Sequence, residues 1–481
     1  MKEKFKRLAP AISLSSFLLL ADAVFVGVLV FTKLLTWQLI TLCGVLSILV
    51  TAAVFFLSRN TKKRVLVVLS CVLSVLLLFV EAAGCYYAII GSAALKKITK
   101  PQQEYSEIGI YVRNDDAAQS LADIDGYPIG ILEMQDRAAT DLALQEVAKT
   151  HQSSLETTGY ESIERLMDGL LLSQKVDAIV LNESFFELLS EIEGHEGDGQ
   201  KIRKIHTVRS AIETPEYVAP PENDNIFTVY ISGIDCFGSI KRRSRSDVNI
   251  LATVNAETGQ VLLVSTPRDY FVPLSISNGN LDKLTHAGIY GINVSRDTLG
   301  MLYDIKIDYY FRVNFDGFRD IIDALGGVTV NSQYAFSSGG YSFNKGENFL
   351  TGTEALSFAR ERYSVAGGDR QRGKNQMAVI KGVIDKVTSP AIITNYKSTL
   401  DSMSGTFETD MPYEKITALI KQQINNGTKW NVTTYSADGT GAWRRPYSLG
   451  FNAYVMLPNE ETVERGAALI KQVRDGEIPT P

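Results

Sequence analysis

Arginine and aspartate side chains are concentrated at a few places in the C-terminal half of the sequence. Arg245 ends a basic run that begins at Lys241. Asp247 comes shortly after this run, and Asp235 comes shortly before it. Arg268 lies in a Pro-Arg-Asp sequence that directly follows an apolar stretch. The remaining members of this set are Arg360, Arg362, Asp369, Arg372 and Gln376. Such a set of residue types indicates an anion-binding site.

The chemistry that these residue types support best is the binding of a diphosphate. A guanidinium group donates two hydrogen bonds to a phosphate and keeps its charge at every physiological pH. Neighbouring carboxylates hold a divalent cation such as Mg²⁺, which neutralises the remaining phosphate charge. Phosphoryl transfer depends mainly on this positioning and charge stabilisation. The alternative that the residue types leave open is a set of ordinary surface ion pairs.

The predicted strands and helices of this region would bring the distant residues together. Ligands of α/β proteins bind beyond strand ends, where Asp235, Asp247 and Arg268 all fall. Arg360 and Arg362 reach one site only if their helix ends near residue 359 and the chain then becomes extended. The predicted strands are Ile226–Ile234, Asp247–Val254 and Gln260–Ser265. The predicted helices are His286–Tyr303, Gly317–Leu325, Thr351–Ala359, Asp369–Val387, Tyr413–Asn425 and Thr462–Asp475.

Three apolar stretches open the chain, each long enough for a membrane-spanning helix of about 20 residues. They are Ala11–Thr32, Thr36–Leu57 and Val65–Ile90. Lysine and arginine precede the first stretch and separate the second from the third. We therefore expect a multi-pass membrane protein with a cytoplasmic N-terminus and an extracellular C-terminal part. Asp22 and Glu81 within these stretches would either contact a partner membrane protein or face the interior of the helix bundle.

The region after the anchor alternates strands and helices, which predicts a small α/β domain with parallel pairing. Its predicted strands and helices are Ile108–Val112, Tyr127–Leu132, Thr140–Lys149, Tyr160–Leu172, Val176–Leu181 and Ser184–Ile192. We expect this domain to act as a spacer or interaction domain. A polar stretch with three prolines follows and reads as a linker. The predicted organisation is an anchor over residues 1–97, an accessory domain over 98–206, a linker over 207–225 and a second α/β domain over 226–481.

The composition limits the other functions that the chain could have. A net charge of −6 argues against binding to nucleic acid. Cys236 is the only cysteine in the predicted extracellular part, so the sequence contains no disulfide framework. The four histidines form no spacing typical of a metal site.

Seven segments of the C-terminal region resemble the LytR-CpsA-Psr family of envelope proteins in both order and spacing. They are Val229–Asp235, Arg245–Leu251, Ser265–Tyr270, Lys283–Gly291, Val313–Val330, Leu350–Tyr363 and Asp369–Gln376. The resemblance covers residues 226 to 481. A three-span anchor followed by an extra α/β domain further resembles the capsule-locus members of Gram-positive cocci, which implies contact with other capsule-assembly membrane proteins.

The resemblance implies a mixed sheet flanked by helices and an apolar tunnel that binds a polyprenyl pyrophosphate. It implies that Asp235 and Asp247 bind Mg²⁺ or Mn²⁺. The pyrophosphate ligands would be Arg245, Arg268, Arg360, Arg362, Arg372 and Gln376. The implied catalytic residues are Arg268, Asp247 and Arg362. The tunnel would be lined from the segments Phe311–Phe318, Ile321–Leu325 and Met377–Ile384, each of which could equally belong to an ordinary core.

The activity that the resemblance implies is the transfer of a lipid-linked glycopolymer, here capsular polysaccharide, to peptidoglycan through a phosphodiester. One position departs from the family pattern, because Asn375 replaces an arginine that many members carry, and Lys374 is the candidate to compensate. Two alternatives remain open. The chain could be a non-enzymatic regulator or scaffold of capsule assembly that binds polyprenyl pyrophosphate, or a phosphatase that hydrolyses it.

Overall fold

The computed structural model describes residues 2–59, 63–99, 105–133, 136–186, 188–189, 192, 194–211, 225–362, 364, 367–389 and 407–480. The N-terminal region forms three long helices that are apolar and long enough to cross a membrane, as predicted. They are α1 (Lys2–Thr32), α2 (Trp37–Ser58) and α3 (Arg64–Ile98). These helices constitute a membrane anchor.

The acidic residues of the anchor lie inside the helix bundle. Asp22 and Glu81 are each only 4% exposed. The Thr51 hydroxyl on α2 donates a hydrogen bond of 3.0 Å to the Asp22 carboxylate on α1, which joins the two helices. Of the two interpretations of these carboxyl groups, the structure supports the interior location rather than a free outer face for a partner protein.

The accessory region forms a five-stranded mixed sheet with the strand order β3-β2-β4-β1-β5. Its strands are β1 (Tyr105–Arg113), β2 (Pro128–Leu132), β3 (Glu156–Tyr160), β4 (Ala178–Asn182) and β5 (Ile202–Ala211). Its helices are α4 (Arg137–Thr150), α5 (Ile163–Leu171) and α6 (Glu183–Phe186). Strand β2 pairs in parallel with β3 and β4, as expected from the alternation of strands and helices. The antiparallel pairing of β1 with β4 and β5 differs from the predicted parallel pairing, so the sheet is mixed.

Two further sequence predictions for this region differ from the structure. The helix predicted over Ser184–Ile192 is, among the described residues, a single turn that ends at Phe186. The chain also remains in strand β5 through Ala211, although a linker was predicted from residue 207. Ile202 and Val208 of this strand are buried, and β1 supplies its backbone hydrogen bonds. The remainder of the predicted linker, residues 212–224, lies outside the described residues.

The C-terminal region contains a larger sheet, several two-stranded ribbons and flanking helices. Its strands are β6 (Ile226–Ile234), β7 (Ser246–Asn255), β8 (Gln260–Ser265), β9 (Phe271–Pro273), β10 (Leu281–Lys283), β11 (Tyr309–Val313), β12 (Val328–Ser332), β13 (Phe336–Ser338), β14 (Tyr341–Phe343), β15 (Gly346–Leu350), β16 (Phe407–Thr409), β17 (Asn431–Ser436), β18 (Gly439–Arg444) and β19 (Ala453–Pro458). Its helices are α7 (Ile292–Tyr303), α8 (Phe315–Ala324), α9 (Gly352–Arg360), α10 (Gly368–Val387), α11 (Tyr413–Asn426) and α12 (Glu460–Arg474). These six helices of the described residues were all predicted, although α7 begins later because residues 284–290 form a 3₁₀ helix.

The topology of the larger sheet brings many strand ends to one edge. Its strand order is β16-β11-β6-β7-β8-β17. Strands β6, β7 and β8 are antiparallel neighbours, while β11 runs parallel to β6 and β17 runs parallel to β8. The C-terminal ends of β6, β8, β11 and β17 therefore meet the beginning of β7 at a single edge.

Helices cover both faces of this sheet. On one face, Leu251 and Val264 pack with Leu299 of α7 and Ile470 of α12. On the other face, the sheet packs against α10 in a cluster that contains Ile250, Leu263, Met377 and Val432. The fold is thus α/β with a mixed sheet between helical layers, as expected.

The accessory sheet and the larger sheet belong to one compact unit, although separate domains were predicted. Ile289 and Leu449 of the C-terminal region lie in one hydrophobic cluster with Leu132 and Phe185 of the accessory region. Helix α11, in contrast, belongs to the unit formed by the anchor helices. Its Tyr413 hydroxyl donates to the Thr32 carbonyl and lies 3.1 Å from the Ser92 hydroxyl.

Candidate functional site

A cavity of about 580 Å³ opens at the edge of the larger sheet where the strand ends meet. Its size falls within the range of small-molecule binding sites. The structure brings every predicted site residue into its lining. These residues are Asp235, Arg245, Asp247, Arg268, Arg360, Arg362, Arg372 and Gln376. Residues from distant parts of the sequence therefore form one cluster rather than scattered surface ion pairs.

The first carboxylate of the cluster is positioned by the turn between β6 and β7. The register of this antiparallel pair shifts between Gly233 and Ile234, directly before Asp235. The Asp235 amide donates to the Arg245 carbonyl at 3.1 Å. The Arg245 guanidinium in turn donates to the Asp235 carboxylate at 2.8 Å. These two bonds hold both side chains at the sheet edge.

The second carboxylate, that of Asp247, is held from two sides. One oxygen accepts a hydrogen bond from the Arg268 guanidinium, and the other accepts one from the Thr285 hydroxyl at 2.9 Å. Burial alone would raise the pKa of Asp247, but the guanidinium groups of Arg268, Arg372 and Arg245 hold it below its ordinary value. Asp247 is therefore ionised at neutral pH and is a poor base.

A glycine allows Thr285 to approach Asp247. Gly288 lies in the same 3₁₀ helix as Thr285. A Cβ atom at Gly288 would lie 2.6 Å from the Ser244 carbonyl oxygen and 2.6 Å from the amide nitrogen of Ser246, where β7 begins. Any larger residue would push this 3₁₀ helix away from the strand and withdraw the threonine from the carboxylate.

Helix α10 contributes Arg372 and Gln376 from one face, as their spacing predicts. The helix lies close to the end of β8, because a Cβ atom at Gly373 would lie only 2.5 Å from the Ser265 hydroxyl oxygen. The Arg372 guanidinium lies 2.5 Å from the Asp369 carboxylate. The Gln376 amide nitrogen donates to the Ala359 carbonyl at 3.4 Å, which links α10 to α9.

Asp369 differs from Asp247 in its electrostatic environment. It lies in a small extension of the cavity with Asp247, Arg268 and Arg372. Burial raises the pKa of Asp369, and the neighbouring Arg372 only partly offsets this effect. A carboxyl group with a raised pKa is a better proton acceptor than an ordinary aspartate.

Arg360 and Arg362 reach the cavity because α9 ends where the sequence predicted. The helix ends at Arg360, and the next residue, Glu361, has an extended backbone with ψ of 131°. Two residues that would point away from each other on a continuous helix can therefore both line the cavity. The Arg360 guanidinium also lies 4.4 Å from the centre of the Phe315 ring, a cation–π contact at the boundary between the polar and apolar parts.

The remainder of the cavity is apolar. Its walls include Phe311, Phe315, Phe318, Ile321, Val379, Ile380, Val383 and Ile384. These residues come from the three segments proposed to form a tunnel. Other members of those segments do not line the cavity; among them, Leu325 and Met377 are buried in hydrophobic clusters. The cavity thus has a cationic end and a hydrophobic body, a shape that suits an amphiphile with an anionic head group.

Some features of the site were not predicted. Thr285 lies within a segment quoted for its family resemblance, but neither its residue type nor its spacing indicated a role. Lys374 does not line the cavity; it faces a separate polar groove of about 870 Å³ between β12, α10 and β17. Asn375 is buried and donates to the Phe358 carbonyl at 3.2 Å. Neither Lys374 nor Asn375 therefore lines the cavity, and Lys374 does not supply a sixth cationic group there.

The donor set of the cavity fits a magnesium ion. Mg²⁺ uses one or two protein carboxylates and completes its shell with water and substrate phosphate oxygens. Asp235 and Asp247 line the same cavity and present oxygen ligands there. The grouping of three acidic or histidine side chains found elsewhere among the described residues is formed by Glu164, Asp168 and His195 in the accessory region.

Comparison with known proteins identifies the family. The family model LytR_cpsA_psr matches residues 189–464. The chain is 36% identical over 251 residues to the polyisoprenyl-teichoic acid–peptidoglycan teichoic acid transferase TagU of Bacillus licheniformis, covering 49% of this chain and 81% of that protein. Identity to the protein of the same name from Bacillus subtilis is 35% over 216 residues, covering 45% of this chain and 69% of that protein.

Among solved structures, the chain is similar to the crystal structure of B. subtilis TagV. The two are 27% identical with a TM-score of 0.45, and the match covers 54% of this chain and 100% of that one. The family assignment rests on the family model and on the sequence relatives. The chain belongs to the LytR_cpsA_psr family.

Proposed function

We propose that the protein is a membrane-anchored transferase that moves a polyprenyl-pyrophosphate-linked glycopolymer onto peptidoglycan. The single observation that carries this proposal is the cavity, in which five guanidinium groups adjoin an apolar body. The relatives named as polyisoprenyl-teichoic acid–peptidoglycan teichoic acid transferases support the reaction class. We further propose that the polymer is capsular polysaccharide.

The proposed reaction replaces a phosphoanhydride bond of the donor with a phosphodiester bond to the acceptor. A peptidoglycan sugar hydroxyl forms a new oxygen–phosphorus bond to the phosphorus that carries the glycopolymer. The bond from this phosphorus to the bridging oxygen breaks, and polyprenyl phosphate leaves with that oxygen. The hydroxyl proton is released, and the polymer remains joined to the wall through a phosphodiester.

The arginines would bind the diphosphate and stabilise the charge that develops on the leaving phosphate. Arg268 and Arg362, together with Asp247, would carry most of the catalytic effect, and Arg245, Arg360 and Arg372 would hold the substrate. The apolar walls would take the part of the polyprenyl chain nearest the phosphates.

Asp369 is the carboxylate best suited to accept the hydroxyl proton. It adjoins Asp247, Arg268 and Arg372 in the extension of the cavity, and its pKa is raised by burial. Asp247 is less suited, because its guanidinium neighbours keep its pKa low. We therefore assign proton transfer to Asp369 and metal binding to Asp247.

Asp235 and Asp247 would hold Mg²⁺, with Mn²⁺ as a substitute. A bound ion would neutralise phosphate charge and orient the diphosphate. Both carboxylates contact guanidinium groups, Asp235 with Arg245 and Asp247 with Arg268. These contacts hold both carboxylates at the lining of the cavity.

The anchor places this chemistry at a membrane. Positive charge around the apolar helices favours a cytoplasmic N-terminus and an extracellular catalytic region. In that orientation the site would face the compartment that contains peptidoglycan. A lipid-linked substrate would come from the outer leaflet, and its diphosphate and the nearest part of its chain would enter the cavity.

A direct test is to incubate the full-length protein with a lipid-linked oligosaccharide, peptidoglycan fragments and Mg²⁺, and to analyse the products by mass spectrometry. The proposal requires a joined product that contains one phosphodiester. A released oligosaccharide phosphate without joining would identify a phosphatase. Unchanged substrates, with the lipid bound, would instead favour the regulator or scaffold.

A further inference from the structure

A hairpin formed by β18 and β19 presents two large aromatic side chains to solvent. Trp443 lies directly opposite Tyr454 in the antiparallel register, so both project from the same face. They are 64% and 44% exposed, whereas Ala453 and Val455, on the other face, are buried. The hairpin thus buries small residues and exposes large aromatic ones, which is the reverse of what core packing favours.

The same hairpin is attached to the segments that carry the guanidinium groups of the cavity. The Met456 amide donates to the Asp269 carbonyl at 2.7 Å, next to the arginine that contacts Asp247. Before the other strand, Asp438 forms an ion pair with Arg370 of α10. Its carbonyl also accepts a hydrogen bond of 2.5 Å from the Tyr270 hydroxyl.

Tyr454 lies two residues before Met456, on the strand that is hydrogen-bonded to the segment around Asp269 and Tyr270. A Cβ atom at Gly441 would lie 3.0 Å from the Tyr454 ring and from its hydroxyl oxygen. The glycine therefore leaves room for the ring to lie across the hairpin.

We propose that Trp443 and Tyr454 form the subsite that binds the acceptor glycan of peptidoglycan, each ring stacking on one sugar. This inference rests on the proposed function. The apolar C–H face of a pyranose ring is attracted to the electron-rich face of an aromatic ring, and its hydroxyls remain in water. Exposed Arg444 and Arg445 follow Trp443, and their charge complements the carboxylates of peptidoglycan.

The acceptor needs such a subsite more than the donor does. The donor is already held by its lipid tail in the apolar cavity and by its diphosphate on the arginines. The acceptor has neither group, so a platform beside the cationic end would have to orient its hydroxyl. The polar groove beside α10, which contains Lys381, is the competing location for the acceptor.

Kinetics with the full-length protein in detergent separate these locations. Trp443→Leu and Tyr454→Leu remove the aromatic face, while Trp443→Phe and Tyr454→Phe keep it. We expect each leucine variant to raise the KM for soluble glycan fragments about tenfold, since one stacking contact is worth about that factor. The phenylalanine variants should stay near the natural protein. The KM for the lipid-linked donor and kcat at saturating acceptor should not change.

Three results would overturn the proposal: an unchanged acceptor KM in both leucine variants, a raised donor KM instead of a raised acceptor KM, or an acceptor KM that responds only to Lys381→Ala.

A binding measurement separates this proposal from the proposed reaction. The chain has three tryptophans, so Trp37→Phe with Trp430→Phe leaves Trp443 as the reporter. Glycan fragments should then change its fluorescence without any turnover. A fluorescence change without joined product would support the subsite but contradict the transferase. Joined product without a fluorescence change would support the transferase but contradict the subsite.

Discussion

Asp247 at the beginning of β7 and Arg268 in the loop after β8 form an ion pair at the cationic end of the cavity. The same carboxylate accepts a hydrogen bond from Thr285, which fixes its orientation. A bound diphosphate would share Arg268, and a bound metal would share Asp247. This pair therefore links the two parts of the proposed site.

Removing a guanidinium group from the cavity should abolish transfer while the protein stays folded. We expect Arg362→Ala to lower the rate of joined-product formation more than about 100-fold, the usual effect of losing one charge-stabilising donor. Arg268→Ala should lower the rate by a similar factor, and Arg268→Lys tests the need for a planar, bidentate hydrogen-bond donor. Arg137→Ala is the matched control, because Arg137 forms an exposed ion pair with Asp141 in the accessory region. Near-normal product in both alanine variants would refute the site.

Replacement of the proposed metal ligand distinguishes an enzyme from a scaffold. Asp247→Asn should abolish transfer at every Mg²⁺ concentration, since an amide is a weak magnesium ligand. Lipid diphosphate binding measured without metal should persist, because the arginines remain. A variant that still joins polymer to peptidoglycan, with an unchanged response to Mg²⁺, would show that the carboxylate does not serve the metal.

Filling the apolar part of the cavity should exclude the lipid tail. Ile380→Trp places a larger side chain among the residues that line this part. We expect weaker binding of a long-chain polyprenyl pyrophosphate, by at least about tenfold, and little change for a soluble short-chain diphosphate. Val387→Trp on the exposed end of the same helix is the control. Equal loss for both ligands would contradict a tail-binding role.

The pH profile of transfer should report on Asp369. Burial raises its pKa, so the carboxylate becomes protonated at a higher pH than an ordinary aspartate does. The rate should fall as pH falls through this raised pKa, because the protonated form cannot accept the hydroxyl proton. The acid limb of the rate profile should thus lie at a higher pH than the titration of a solvent-exposed aspartate. In Asp369→Asn this limb should disappear, and transfer should continue only at a low residual rate. An unaltered limb in that variant would assign the proton to another group.

Much of the fold was predictable because its signals are local. The strands β6 and β8 and the helices around the site follow from apolar periodicity, and the end of α9 before Arg362 followed from requiring two arginines at one site. Thr285 could not be found this way, because its contact with Asp247 depends on how closely Gly288 lets two segments approach. The exposed pair of Trp443 and Tyr454 depends on hairpin register, which residue types alone do not give.

The most direct measurement is an experimental structure of the protein with polyprenyl pyrophosphate and Mg²⁺ bound. The diphosphate should lie between Arg268, Arg362 and Arg372, with the metal on Asp235 and Asp247 and the lipid chain in the apolar cavity. A ligand bound at another surface, or a tail that stays outside this cavity while the diphosphate binds, would contradict the account.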